Sequence, residues 1–566
     1  MATSRSHIAV RLIAMAAGIS LLFASEACST DSGKDVNANG VTTVTTSRTT
    51  AGTVAIFTPS DGITISQRTP LNKWAKLTPQ ITKELIGQGV RKDAIEKTTS
   101  DSLDQQSHDV QDWVVDHMTA SHDSSDGGND SSDPSHTTII VAPVVDADPS
   151  TRQYGDYVTQ PVDASDSTDN GSSGSSAQNT DENEQDAYNR LDSALKLAKD
   201  AGMHVVLLSN GVDGFSPDAF VRFSTAEQIG ALQATKLIAK LDLDKASKDN
   251  PKAIEVLIPY SASQDGQSSG AGSGSKSDAT SDAKSDEADA DNTTQFDDAF
   301  ARAAFSGMWR ILQPYFNQGK AYSPSGLLDK ATKDSDWRAV AVSSDDKKHI
   351  AAALDERLPI EKTDAGTTYT KVDGIIAMND YVASVVTDEL ASLGYTGSAA
   401  DINPSITISG IVGNITGKKD LQRGKVPDPA KAPDADGGSG GSDDDMDGSA
   451  SAKDPDADDE SDSSWPIVTG FGGYVDTIPQ VVNGKQWMTG LENRNAIAAD
   501  IAETTVRLNR GESLADLKYV TKEIVPGSSS KTKVSTISED ALSVSAYNLK
   551  TVLIDPGYIT MADAGL

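Results

Sequence analysis

The chain has 566 residues, room for two or three domains, and carries 83 Asp and Glu against 49 Lys and Arg for a formal charge of −34. That acidity, with no basic stripe interleaved with aromatics, excludes a nucleic-acid backbone as a partner. The single cysteine excludes a disulfide-stapled scaffold.

In chain order, residues 1–28 read as an export leader. Arg5, His7 and Arg11 give a basic start, Ile8 to Phe23 an apolar core, and Ala24, Ser25 and Ala27 the small residues that precede a cleavage site at Cys28. The apolar run is short for a membrane span, and no second one exists. The bland alternative for Cys28 is an incidental cysteine in a removed leader. Residues 29–50, rich in Ser, Thr, Asp and Asn, form a tether.

From residue 51, short apolar runs alternate with amphipathic ones. Strands are expected at Thr53–Phe57, Thr137–Ala142, His204–Leu208, Ile254–Ile258, Gly374–Met378, Ser405–Val412 and Trp465–Thr469. Helices are expected at Leu71–Gly89, Tyr188–Ala201, Phe296–Phe316 and Tyr381–Leu393, with Gly202, Gly319 and Gly394 at or near their ends. Continuous β-branched strands between capped helices predict an α/β fold with parallel sheets covered on both faces. Four stretches of Ser, Gly, Asp and Ala, about 122–135, 162–186, 262–293 and 428–464, hold most of the acidity and almost nothing apolar. They are expected as disordered inserts.

No catalytic residues and no metal site emerge. The seven histidines lack ligand spacing, and neither a phosphate-binding loop nor a G-x-S-x-G elbow is present, so no cofactor is expected and an enzyme is not supported. Gly470-Phe-Gly-Gly473 follows a strand without dinucleotide spacing and reads as a tight turn. In open parallel sheets ligands sit at the carboxyl ends of strands. The residues there include Asn210 and the pair Asn379-Asp380. Asn offers both donor and acceptor to a hydroxyl, whereas Asp380 has helix capping as its alternative role.

Several stretches resemble the type I periplasmic-binding-protein family, in particular its xylose- and multiple-sugar-binding branch. They are Ala187–Val206, Phe305-Ser-Gly-Met-Trp-Arg-Ile-Leu-Gln-Pro-Tyr315, Val372-Asp-Gly-Ile-Ile-Ala-Met-Asn-Asp380, Trp465–Gly470 with Val482–Gln486, and Leu553–Thr560. Cys28 likewise resembles the lipidated cysteine of bacterial lipoproteins, although Ser25 stands where that signal has Leu. The resemblance implies two Rossmann-like lobes with parallel sheets joined by a multi-strand hinge: a first lobe at 51–213 and 490–523, a second at 214–489 and 524–566, and the hinge near 209–214 and 486–490. It also implies a sugar bound between the lobes, an ABC permease as partner, and a lipid anchor on the outer face of the cytoplasmic membrane. Arg68, Asn210, Asn379, Asp380 and Phe471 are the implied ligand contacts. The chain departs from the family at Asn210-Gly211, where relatives have Asp-Arg, and at Phe471-Gly472, where they have Gln-Asp. A pocket that loses charged groups and gains a ring expects a less hydroxylated or weaker ligand. A degenerate member acting as a surface sensor or interaction lipoprotein is the alternative.

Overall fold

The computed structural model describes residues 51–60, 70–123, 133–145, 149–157, 178–261, 299–363, 366–400, 463–525 and 531–566. The leader with Cys28, the tether, Arg68, the expected strand 405–412 and most of the acidic stretches lie outside the described residues.

Strand β1 (Thr53–Pro59) turns Val54 and Ile56 to one face and Ala55 and Phe57 to the other, all buried. A strand apolar on both faces requires helices on both. Helix α1 (Trp74–Gly87) covers the first face. After β2 (Ile95–Ser100), α2 (Leu103–Asp123) covers the second. The first lobe continues through β3 (Thr137–Val141), the single turn α3 (Pro149–Arg152), α4 (Gln178–Asp200), β4 (His204–Leu208) and β5 (Ala219–Arg222). Its parallel order is β2-β1-β3-β4-β5.

The second lobe starts with α5 (Ala226–Lys240), β6 (Lys252–Val256), β7 (Ile258–Tyr260), α6 (Ala299–Asn317) and β8 (Ala321–Tyr322). Next come β9 (Ala341–Ser343), which pairs with β7, α7 (Lys347–Arg357), and the hairpin of β10 (Glu361–Thr363) and β11 (Gly366–Thr368). It ends with β12 (Gly374–Ile376), α8 (Asp380–Leu393), β13 (Ile467–Phe471), α9 (Ile478–Val482) and β14 (Met488–Leu491). The parallel order β8-β6-β12-β13-β14 repeats that of the first lobe. Helices α5 and α6 cover one face, α7 and α8 the other. The expected α/β architecture with two parallel sheets is therefore present.

The chain then returns. Helix α10 (Arg494–Asn509) packs beside α1, and β15 (Val520–Ile524) and β16 (Lys533–Ser538) extend the first sheet beyond β5. Strand β17 (Leu542–Ser545) runs antiparallel to β14 in the second sheet. The chain thus crosses between sheets at 223–225, 492–493 and 539–541, later than the lobe boundaries read from sequence. The difference comes from interior strands with little sequence signal: β5 and β16 are short and end with polar residues, so neither stands out as a buried run. A second difference is α4, which includes residues 178–186 of an expected insert. Once the periodic part from Tyr188 is helical, each further residue adds a hydrogen bond at little cost.

Candidate ligand-binding site between the lobes

Both sheets have the order 2-1-3-4-5, which places a crevice where the connections diverge: outside β1 and β3 in one lobe, outside β6 and β12 in the other. Beyond the carboxyl ends of two strands the backbone is strained in the same way. Ser209, after β4, has φ +65°, and Met378, after β12, has φ +58°. In each case the next amide folds back onto the strand: Asn210 N donates to Leu208 O and Asn379 N to Ala377 O, both at 2.7 Å. Such tight turns at residues with side chains cost of order 1–3 kcal/mol and persist only where the surroundings over-determine them. Each turn aims an asparagine out of the sheet.

Asn210 reaches the first-lobe crevice. It lines a cavity of about 100 Å³ together with Pro59, Ser60, Asp101, Pro143 and Trp74. That is room for a few waters and well below the ~300 Å³ at which small-molecule sites begin. The Ser60 hydroxyl donates to Asp101, which ties the ends of β1 and β2 together at the rim.

On the second lobe the three candidates have different fates. Asn379 is fully buried and caps α8, its Oδ1 accepting from Val382 N at 2.9 Å, while its Nδ2 points outward and donates to Gln153 Oε1 at 3.0 Å. Asp380 does not cap. Its Oδ1 accepts from Gln486 Nε2 at 2.6 Å, and its Oδ2 accepts from Thr489 Oγ1 at 2.6 Å and Tyr474 N at 3.1 Å. Burial raises its pKa and these donors oppose the rise. The carboxyl is therefore engaged inside the lobe, bracing α8 against β13 and β14. Gly470 makes room for it, since a Cβ there would lie 2.4 Å from Asp380 Oδ1. Phe471 is buried among the second-lobe core, with its ring centroid 6.5 Å from that of Tyr154. The tight turn read at 470–473 is present, with φ +127° at Gly472 and +63° at Gly473.

Tyr154 belongs to the segment that the sequence reading missed. Residues 149–157 leave the first-lobe sheet after β3 and run between the two crevices. On the first-lobe side Asp156 N donates to Asn72 O at 2.8 Å, and Asp156 pairs with Lys73 at 3.5 Å and accepts from Trp74 N at 3.2 Å. Tyr157 stacks on Phe223 at 4.7 Å and donates its hydroxyl to Lys73 O. Thr151, Arg152, Gly155 and Asp156 form the outer wall of the cavity. On the second-lobe side Gln153 meets Asn379 and donates to Ser344, and Tyr474 donates to Gln153 O at 2.8 Å. The Tyr154 ring, 1% exposed, lies 4.6 Å from Phe300. The available signal is compositional: two tyrosines within residues 152–157, beside a stretch otherwise nearly free of apolar residues.

Glu492 sits at a crossing between the lobes. Its Oε1 accepts from Ser224 N, at another crossing, at 3.0 Å, and its own N donates to Asn72 Oδ1. Burial pushes its pKa up to about 7, with the Ser224 hydrogen bonds opposing.

No protein-family model matches the chain, and no curated protein matches it. Solved structures similar to it include an ABC transporter solute binding protein from Clostridium phytofermentans with bound β-D-glucose, at 15% identity and TM-score 0.43, covering 90% of this chain and 99% of that one. A carbohydrate transporter solute binding protein from Chloroflexus aurantiacus in complex with D-glucose aligns at 16% identity and TM-score 0.43, covering 91% and 98%. An arabinose binding protein from Geobacillus stearothermophilus aligns at 9% identity and TM-score 0.41, covering 88% and 99%.

Proposed function

We propose that the chain is an extracytoplasmic solute-binding protein of an ABC importer, capturing a sugar between its two lobes and handing it to a permease. The observation that carries this reading is the pair of crevices bridged by residues 149–157: Asn210 lines one and Asn379 projects from the other. Amide side chains serve hydroxyls as donor and acceptor, and the Phe471 and Phe300 rings suit the apolar face of a sugar ring. Three crossings between the lobes provide a hinge about which they close. Cys28 is the lipidation site in this reading, holding the protein at the outer face of the cytoplasmic membrane, with residues 29–50 as tether.

One observation favours a second reading. The cleft is bridged by the protein's own segment, as expected of a surface sensor or interaction lipoprotein that has given up transport. Small-angle scattering separates the two. The transport reading expects a solute-dependent change in radius of gyration with at least one member of a sugar panel, and no change with any member counts for the second.

A further inference from the structure

Resting on the solute-capture reading, we infer that Gln153 and Tyr154 are a tethered stand-in for the ligand: they occupy the second-lobe half of its site and must leave before the solute binds. The solute then carries the chemistry they imitate. It presents a flat or ring-shaped apolar face to Phe300 and Phe471, and beside it an edge with an acceptor for Asn379 Nδ2 and a donor for Ser344.

The segment is seated in both lobes: the Tyr157 ring joins the first-lobe core and the Tyr154 ring the second-lobe core. Its second-lobe contacts include two consecutive side chains, Gln153 and Tyr154, and one backbone carbonyl that accepts from Tyr474. The fit is imperfect. The Tyr154 hydroxyl is buried beside the Asn379 side chain, without a hydrogen bond of good geometry. A buried hydroxyl so poorly partnered weakens the seat, and a ligand group with better geometry there has the advantage. Docking on the first lobe depends on Gly155, at φ +118°, where a Cβ would lie 2.4 Å from Asn72 Cβ and 2.8 Å from Asn72 O. The cavity on the Asn210 side is too small for a ring while the segment forms its outer wall. Solute affinity is therefore the intrinsic affinity reduced by the fraction of molecules whose site is vacated.

Three variants of the full chain test this, each checked by its melting curve. Gly155→Ala and Tyr154→Ala unseat the segment and should tighten solute binding about tenfold or more by calorimetry. Tyr154→Phe keeps the ring and removes the poorly partnered hydroxyl, so it should seat better and weaken binding several-fold. Equal solute affinity in wild type and all three variants overturns the inference and leaves solute capture standing. A synthetic nonapeptide of residues 149–157, titrated into Gly155→Ala and wild type, reads the seat without any solute. Binding to the variant alone shows that the seat empties; if no solute then binds wild type or any variant, the stand-in inference falls together with the capture reading on which it rests. No peptide binding to the variant, with no solute effect, overturns it.

Discussion

Asn379 joins two structures with one side chain: its Oδ1 caps α8 through Val382 N, and its Nδ2 reaches Gln153, 226 positions away in the sequence. The strained turn at Met378 sets this orientation, because it reverses the chain just before the helix begins. Asn379→Ala removes the cap and the link together. Asn379→Ser keeps a good capping oxygen and removes only the link. By urea unfolding, the alanine variant is expected to lose about 1 kcal/mol more than the serine variant.

Asp380 predicts a packing effect through its neighbour. A methyl at Gly470 would meet Asp380 Oδ1 at 2.4 Å, Gln486 Nε2 at 2.8 Å and Ala383 Cβ at 3.3 Å. Gly470→Ala should destabilise by about 1–3 kcal/mol. Gly87, at the end of α1, has open space around its would-be Cβ and no positive φ. Gly87→Ala should stabilise by up to about 1 kcal/mol, chiefly by restricting the unfolded chain. Denaturant midpoints of the two variants should move in opposite directions.

Glu492 gives the protein a pH-dependent stability. Its pKa is about 7 in the folded state against an ordinary carboxylate value of 4.5, so between those values the folded state binds the extra proton. Stability therefore falls as pH rises from about 4.5 to 7, by roughly 3 kcal/mol in all from this fully buried group. Asp500, raised to about 7 by burial and by Glu539 and Glu503, adds a slope of the same sign. Glu492→Gln should flatten the profile in that window without abolishing it, as followed by melting temperature against pH.

If Cys28 carries the anchor, Cys28→Ser should move the chain from the membrane fraction to the soluble extracytoplasmic fraction while leaving its melting curve unchanged. Retention of the variant in the membrane fraction would contradict the anchor.

The parallel cores were legible because buried strands such as Thr137–Val141 and His204–Leu208 are unbroken apolar runs. Gly394, at φ +99°, ends α8 as the sequence indicated. Strand β2 was missed because four of its six residues are not buried, which erases the apolar run that marks a strand. At the site, Asn379 was legible from its place after a strand. The division of labour with Asp380 was not: cap and brace differ only in which way each side chain turns, and that is set by Gln486 and Thr489, more than a hundred positions later. Gln153 and Tyr154 lay hidden because their partners come from the other lobe and their segment has no periodicity.

The most direct test of the central claim is a thermal-shift screen of the purified chain against monosaccharides, oligosaccharides, polyols and nucleosides. A solute held between the lobes and present at a hundred times its Kd stabilises by about 2.7 kcal/mol, a clear rise in melting temperature. Such a rise is expected with a sugar, diminished in Asn210→Ala. A flat response to every solute, from a chain that melts cooperatively, would contradict solute capture and favour the interaction-lipoprotein reading.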